Sequence, residues 1–319
     1  MKFLYVLSIF GLLLFSCDNA QKSMIDVSKI QTPFVVKRFD QDFYHSNAQT
    51  IASVRKEYPY LFPGNEPDSV WLRRKNDSLS KALFSEITKV FGDFKEQKQA
   101  LNQVFKHVKF YYHNFKAPTV ITLQSNLDLD HQVIYADSLL LISLDTYLGE
   151  KSDFYANYPT YLKRNFNKRM LPVHVAQKMV AETLPKIAYR VFVERMIQAG
   201  KLYYGVQEFI PEISQQDLWG YTPQQLQWAK ENEEEIWKYF VEREYLFSTD
   251  KELKTRFLEP APFSKFYLVT DNESPGQIGA WVGYRIVQSY MKNYDVSLPI
   301  LMATSPEEIF KKSKYKPER

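Results

Sequence analysis

Apolar residues change their spacing several times along the chain, and each spacing predicts a different element. The first is a continuous apolar run, Phe3 to Phe15. It is shorter than the roughly 20 residues a membrane-spanning helix needs. Thr32–Phe43 (TPFVVKRFDQDF) then alternates, with Phe34 and Val36 on one face and Val35 and Lys37 on the other, which predicts a strand. Tyr58–Asp68 carries Pro59, Pro63 and Pro67 and reads as loop. Helical spacing begins with Leu79, Leu83, Ile87 and Val90, closed by Gly92, and returns in Leu101, Val104, Phe105, Val108 and Tyr112. Three short β-branched or apolar runs follow: Thr119–Gln124, Gln132–Ala136 and Leu139–Leu144. Their short linkers predict antiparallel neighbours.

From Leu171 the pattern is almost wholly helical. Pro172 opens a helix with Val173, Ala176, Val180 and Leu184 on its stripe, and Pro185 interrupts it. Ala188, Val191, Phe192, Met196 and Ala199 form the next stripe, with Gly200 as its expected end. Three stretches share one starting chemistry: Thr222-Pro223-Gln224-Gln225, Ser274-Pro275-Gly276-Gln277 and Ser305-Pro306-Glu307-Glu308. Each reads as a hydroxyl cap, a proline at the first helical position, and a third-position side chain that returns to the cap amide. The acidic run Glu231 to Glu235 is expected on a solvated face, and Lys311 to Arg319 as a basic surface tail. Together these elements predict an α+β fold: a small, mostly antiparallel sheet followed by a predominantly helical C-terminal half.

The N-terminal run takes its meaning from its flanks. Lys2 supplies a positive start, and Leu14-Phe15-Ser16-Cys17 closes the run with a small residue before a cysteine. That order is a bacterial lipoprotein signal, cut before Cys17, which is then lipidated. The expected organisation is a signal peptide over 1–16, a tether over 17–31 and a single globular domain over 32–319. Cys17 is the sole cysteine, so no intramolecular disulfide and no cysteine metal pair can form. The membrane is therefore the first expected partner, reached through the lipid. Hydrophobic residues make up 45% of the chain, enough for one large core. Lys and Arg number 41 against 37 Asp and Glu, a balance that does not suggest a nucleic-acid partner.

Candidate chemistry is sparse. The five histidines are His45, His107, His113, His131 and His174. A helical zinc hydrolase needs two imidazoles four apart with a glutamate between them. His174 is followed by Val175, and its i+4 residue is Lys178, whose ammonium would repel zinc. Asp128, Asp130 and His131 lack the spacing of a calcium loop and read as a solvated turn. No nucleophile elbow and no phosphate-binding glycine loop is present. The most unusual stretch is Asp271–Met291 (DNESPGQIGAWVGYRIVQSYM), which holds three of the ten glycines. Gly279 and Gly283 share a helix face and allow close approach of another backbone or a ligand. Asp271, Glu273, Ser274, Gly276, Gly279, Trp281 and Gly283 are the candidate binding residues. Either they form a cleft at a helix N-terminus, or they serve tight packing and a capped start.

Ala261–Met291 (APFSKFYLVTDNESPGQIGAWVGYRIVQSYM) resembles the C-terminal signature of the gliding motility lipoprotein GldB family. KRFDQDFY from Lys37, Phe62-Pro63, HVKFYYHNF from His107, DTYLG from Asp145, MIQAGKLYY from Met196, YTPQQLQWAKENEEEIWKYF from Tyr221 and EIFKKSKYKP from Glu308 extend the likeness over nearly the whole mature chain. The resemblance implies a role in gliding motility linked to type IX secretion, with other gliding and secretion envelope proteins as partners. It also implies a scaffold similar in outline to zinc metallopeptidases. Here the residues around His174 lack the zinc pair, and Gln198-Ala199-Gly200-Lys201-Leu202 has Gln where a carboxylate would ligate. The expectation is a non-catalytic, cofactor-free pseudo-enzyme that acts by protein binding, lipid-anchored in the outer membrane with its domain in the periplasm. The alternatives are an envelope hydrolase or peptidase using His174, Glu182, Asp271 and Glu273, and a cell-wall-binding lipoprotein.

Overall fold

The computed structural model describes residues 25–318 apart from Asp137. The signal peptide and Cys17 lie outside the described residues. The described chain opens on Ile25 and reaches a short strand, β1 (Val36–Arg38). β1 is only a fragment of the strand expected over Thr32–Phe43. Phe39 and Phe43 are also four apart, and they stack in a helix, α1 (Phe39–His45), with ring centroids 5.3 Å apart. Burial of that pair beside Tyr58, Phe62 and Ile121 outweighs the alternation. α2 (Ile51–Glu57) and α3 (Asp68–Lys75) complete this small satellite core.

The two expected helices form as α4 (Ser78–Phe91) and α5 (Lys95–Tyr111). Asp77 caps α4 by accepting from the amides of Leu79 and Ser80, and Gly92 ends it at φ 48°. The remaining strands are β2 (Thr119–Leu123), β3 (Val133–Ala136) and β4 (Leu139–Ser143). The sheet order is β1-β2-β4-β3. β1 pairs with β2, and β2 with β4, in parallel; only the β3–β4 hairpin is antiparallel. The expected mostly antiparallel sheet is thereby corrected. Short linkers do join β2 to β3 and β3 to β4, but β4 inserts between the other two. Burial explains the order: β2 hides three consecutive residues, Val120 to Thr122, as a central strand must, while β3 alternates and takes the edge.

After the short α6 (Thr160–Lys163), α7 (Met170–Thr183) places Pro172 in its first turn. Leu184–Val191 is not helical, so Pro185 separates two helices rather than kinking one. α8 (Phe192–Phe209) then runs straight through Gly200. The expected stop fails there because Gly200 is a contact: a Cβ would overlap the backbone of Gly283. α9 (Gln215–Trp219), α10 (Pro223–Glu231), α11 (Glu233–Glu242) and α12 (Glu252–Phe257) wrap this helix. α13 (Ile278–Asn293) packs along it, and α14 (Leu298–Ala303) and α15 (Pro306–Ser313) close the bundle.

The acidic run is exposed at Glu231, Glu234 and Glu235, as expected, with one exception. Glu233, in the acidic run, is 1% exposed. It accepts from Arg285 Nε at 3.2 Å and from the Tyr315 hydroxyl at 2.7 Å. The C-terminal segment is accordingly no free tail: Tyr315 is drawn onto the bundle, and Glu318 pairs with the far side of Arg285. A carboxylate cannot be buried without such partners, so local charge density did not decide which member of the run would face inward.

Candidate functional site

The candidate residues converge on the start of α13. Ser274 is 1% exposed and does not cap that helix. Its hydroxyl donates to the carbonyl of Asp271 at 2.7 Å and accepts from the amide of Ser264 at 3.1 Å. The helix begins four residues later, at Ile278, after Gln277 takes a left-handed turn at φ 61°. Ser264 does the capping from fourteen residues away: its buried hydroxyl accepts from the amide of Ile278 at 3.2 Å and donates to Pro275 O at 2.8 Å. The expected cap at Ser274 is thus replaced by a tertiary one. Only the strong Ser-Pro signal at Ser274 was visible in the sequence, and nothing local marks Ser264 as its substitute.

The glycines are spacers between backbones. A Cβ on Gly276 would strike the carbonyl of Ala261, and one on Gly283 the carbonyl of Met196. A Cβ on Gly279 would come within 3.0 Å of Phe257 O. Trp281 is 2% exposed and belongs to the main core. Gly276 lines a space of about 40 Å³ shared with Arg164, Gln225 and Gln277, room for about one water molecule. The packing role weighed for Asp271–Gly283 is therefore realised in these contacts.

Asp271 works outward instead. Its carboxylate accepts from the amides of Tyr267 (2.8 Å) and Leu268 (3.1 Å), and Glu273 stands exposed beside it. The loop so held ends in three exposed apolar side chains: Tyr267, Leu268 and Val269, the last wholly uncovered. Its base is fixed by Arg256 Nε donating to Lys265 O at 2.9 Å and by the Tyr239 hydroxyl donating to Phe266 O at 2.6 Å. The Arg256 guanidinium also stacks 4.3 Å from the Tyr267 ring centroid. An apolar tip on so many fixed points is presented, not frayed. Loops that carry contact residues on a rigid frame are a common functional arrangement.

The other candidates are dispersed. His174 lies on α7, where its Nδ1 shares a hydrogen bond with the Tyr147 hydroxyl at 2.9 Å. Desolvation, with Lys178 nearby, pushes its pKa down to about 4, so the imidazole is neutral at physiological pH. Glu182 is paired with Lys186 on the surface, far from Asp271 and Glu273 in the chain and not joined to them by any contact described. Lys201 is buried and donates to Met302 O (2.7 Å) and Thr304 O (2.9 Å); desolvation lowers its pKa to about 8. Asp128 accepts from the His131 ring at 2.9 Å on an exposed turn. Among the described residues, no three His, Cys, Asp or Glu side chains are grouped to hold a metal ion. No helix of the described residues is long and apolar enough to cross a membrane.

Ile25 and Val27, the first described residues of the expected tether, line an apolar groove of about 720 Å³ with α5 and the end of α8. Val27 is itself buried. These residues meet the domain at the opposite end of α8 from Phe192, which packs in the aromatic cluster under the tip. An 18-residue helix is about 27 Å long, so Ile25–Val27 and the apolar tip lie toward different ends of α8.

The architecture is that of a helix-rich α+β protein with a small four-stranded sheet. The family model for gliding motility protein GldB matches residues 20–317, and the chain belongs to that family. Membership makes it a gliding motility lipoprotein associated with the cell envelope. No curated protein and no solved structure matches the chain significantly.

Proposed function

We propose that this lipoprotein is a non-catalytic, lipid-anchored component of the gliding apparatus, linked to type IX secretion and acting by binding other envelope proteins. Its anchor is the acylated Cys17, in the outer membrane with the domain in the periplasm. The observation that carries the role is the family match over residues 20–317. Protein binding is supported by the apolar tip Tyr267–Val269, braced by Asp271 and Arg256 toward the end of α8 away from Ile25–Val27. A non-catalytic role is supported by Lys178 standing where a second zinc-binding imidazole would be needed.

The test is complementation of a deletion strain, read as colony spreading, with immunoblots for chain level. The unaltered gene should restore spreading. Cys17→Ala should fail through loss of the anchor, and Leu268→Ser/Val269→Ser should fail while the chain accumulates normally. Full spreading by the deletion strain itself would overturn the motility role. Full spreading with both variants would overturn the anchored, tip-binding mechanism.

A further inference from the structure

Cys17 lies eight positions before Ile25 in the chain. Fully extended, eight residues span at most about 28 Å, so an acyl group on Cys17 keeps the membrane that close to the first described residues. From there the chain lies along α5. Val27 is buried in the groove that Val104 and His107 also line. The Thr32 hydroxyl donates to Asn102 Oδ1 at 3.0 Å, and the Phe34 ring stands edge-on to Phe105 with centroids 4.9 Å apart. α5 is therefore fixed against the stretch that leads to the anchor, and its outer face is within reach of the lipid surface.

That face is cationic. Lys98, Lys106 and Lys109 fall within about a quarter of the helix circumference. Lys98 Nζ lies 5.7 Å from the Phe34 ring centroid. Lys109 Nζ donates to Phe115 O at 2.9 Å and to His113 O, folding the segment after α5 back onto the helix. The exposed Lys116 follows directly, and Lys29, also exposed, stands two residues after Val27. Local carboxylates are used elsewhere: Asp93 is paired with Lys95, and Glu96, the sole acid of α5, with Lys168. Among the described residues no ion pair reaches Lys29, Lys98, Lys106, Lys109 or Lys116. Asp26 and Glu212 border the groove nearby, two carboxylates against five ammonium groups. The chain as a whole is nearly balanced, 41 Lys and Arg against 37 Asp and Glu, so this excess is a matter of placement.

A surface of unpaired cations attracts anions. An acidic protein would have to be met by diffusion, whereas headgroups are held within reach by the anchor at high effective concentration. The attraction fades within a Debye length, about 8 Å at physiological ionic strength, so it favours the face nearest the anchor. Phe110, four residues after Lys106 on the same side of α5, is exposed as well, and an aromatic ring suits the headgroup level.

We propose that the α5 face bearing Lys98, Lys106 and Lys109, with Lys29 and Lys116 beside it, lies on the anionic phospholipid headgroups of the membrane that carries the anchor. The contact holds the domain in one orientation instead of letting it swing from its N-terminus. It rests on the acylated Cys17 of the proposed function and not on the role of the tip.

The full acylated chain, inserted into preformed vesicles, tests it. One set is phosphatidylcholine alone; the other has an equal share of phosphatidylglycerol. Lysines are acetylated with a water-soluble reagent and read by mass spectrometry. Lys29, Lys98, Lys106 and Lys116 should react about fivefold more slowly on the anionic vesicles, and about 1 M salt should remove the difference. Lys251 and Lys265, exposed on other elements, should react equally on both. Lys98→Gln/Lys106→Gln/Lys116→Gln should return Lys29 to its rate on neutral vesicles. Equal rates for the parent chain on the two vesicle types would overturn the proposal, as would protection that survives high salt. Failure to float with neutral vesicles would instead overturn the anchor, and labelling on anionic vesicles against the free chain would then decide the headgroup contact by itself.

Discussion

Thr222-Pro223-Gln224-Gln225 and Ser274-Pro275-Gly276-Gln277 carry the same local instruction, and the molecule obeys it only once. At Thr222 the box closes: the hydroxyl accepts from the Gln225 amide at 3.1 Å, and the Gln225 side chain accepts from the Thr222 amide at 3.0 Å. At Ser274 the hydroxyl turns back to Asp271 and Ser264, and the helix waits until Ile278. The difference lies in what packs against each segment. At Thr222 the one long-range partner, Arg164 Nη1, donates to Gln225 Oε1 at 3.0 Å and so supports the local box instead of competing with it. Ser274 and Gly276 are pressed onto Ala261 and Ser264, where two buried serines and a proline carbonyl satisfy one another. A local capping signal is worth about 1 kcal/mol, less than several buried hydrogen bonds and a close backbone contact.

Substitutions can break that contrast in a definite order. Gly276→Val should cost the most, about 3 kcal/mol in urea unfolding, because a side chain would have to displace the Ala261 backbone. Ser274→Ala comes next at about 2 kcal/mol, from buried partners left unsatisfied. It should also speed proteolysis in the 267–271 loop, since Ser274 secures the base of the tip. Thr222→Ala should cost only about 1 kcal/mol and leave that loop unchanged. Leu268→Ser/Val269→Ser should change stability least, within about 0.5 kcal/mol, because Val269 is wholly uncovered and Leu268 is more than half exposed. A larger loss for Thr222→Ala than for Ser274→Ala would show that local capping, not tertiary packing, governs both segments.

The same division explains how far the residues could be read in advance. α4 and α5, the extents of β2 to β4, and the Thr222 and Ser305 caps follow from periodicity and capping chemistry within a few residues of each position. The strand order was not legible, since linker length does not record an intervening strand; only the run of buried positions in β2 hinted at a central place. Asp271–Gly283 stood out because glycines and a Ser-Pro pair are chemically conspicuous. Their tasks, spacing α13 from its neighbours and bracing an apolar loop, depend on Ala261, Ser264 and Met196, which sequence cannot place beside them.

By itself, then, the sequence determined the helix-rich α+β character, the family likeness and several helix boundaries, those of α4, α10 and α15 among them. These rest on interactions between residues close in the chain or on motifs read as strings. Tertiary structure decided the parallel run of β1, β2 and β4, the passage of α8 through Gly200, the burial of Glu233 against Arg285 and Tyr315, and the cap of α13 by Ser264. Each of these pairs groups that are distant in sequence. The free energy of excluding water from such pairs exceeds the propensities of the segments they join.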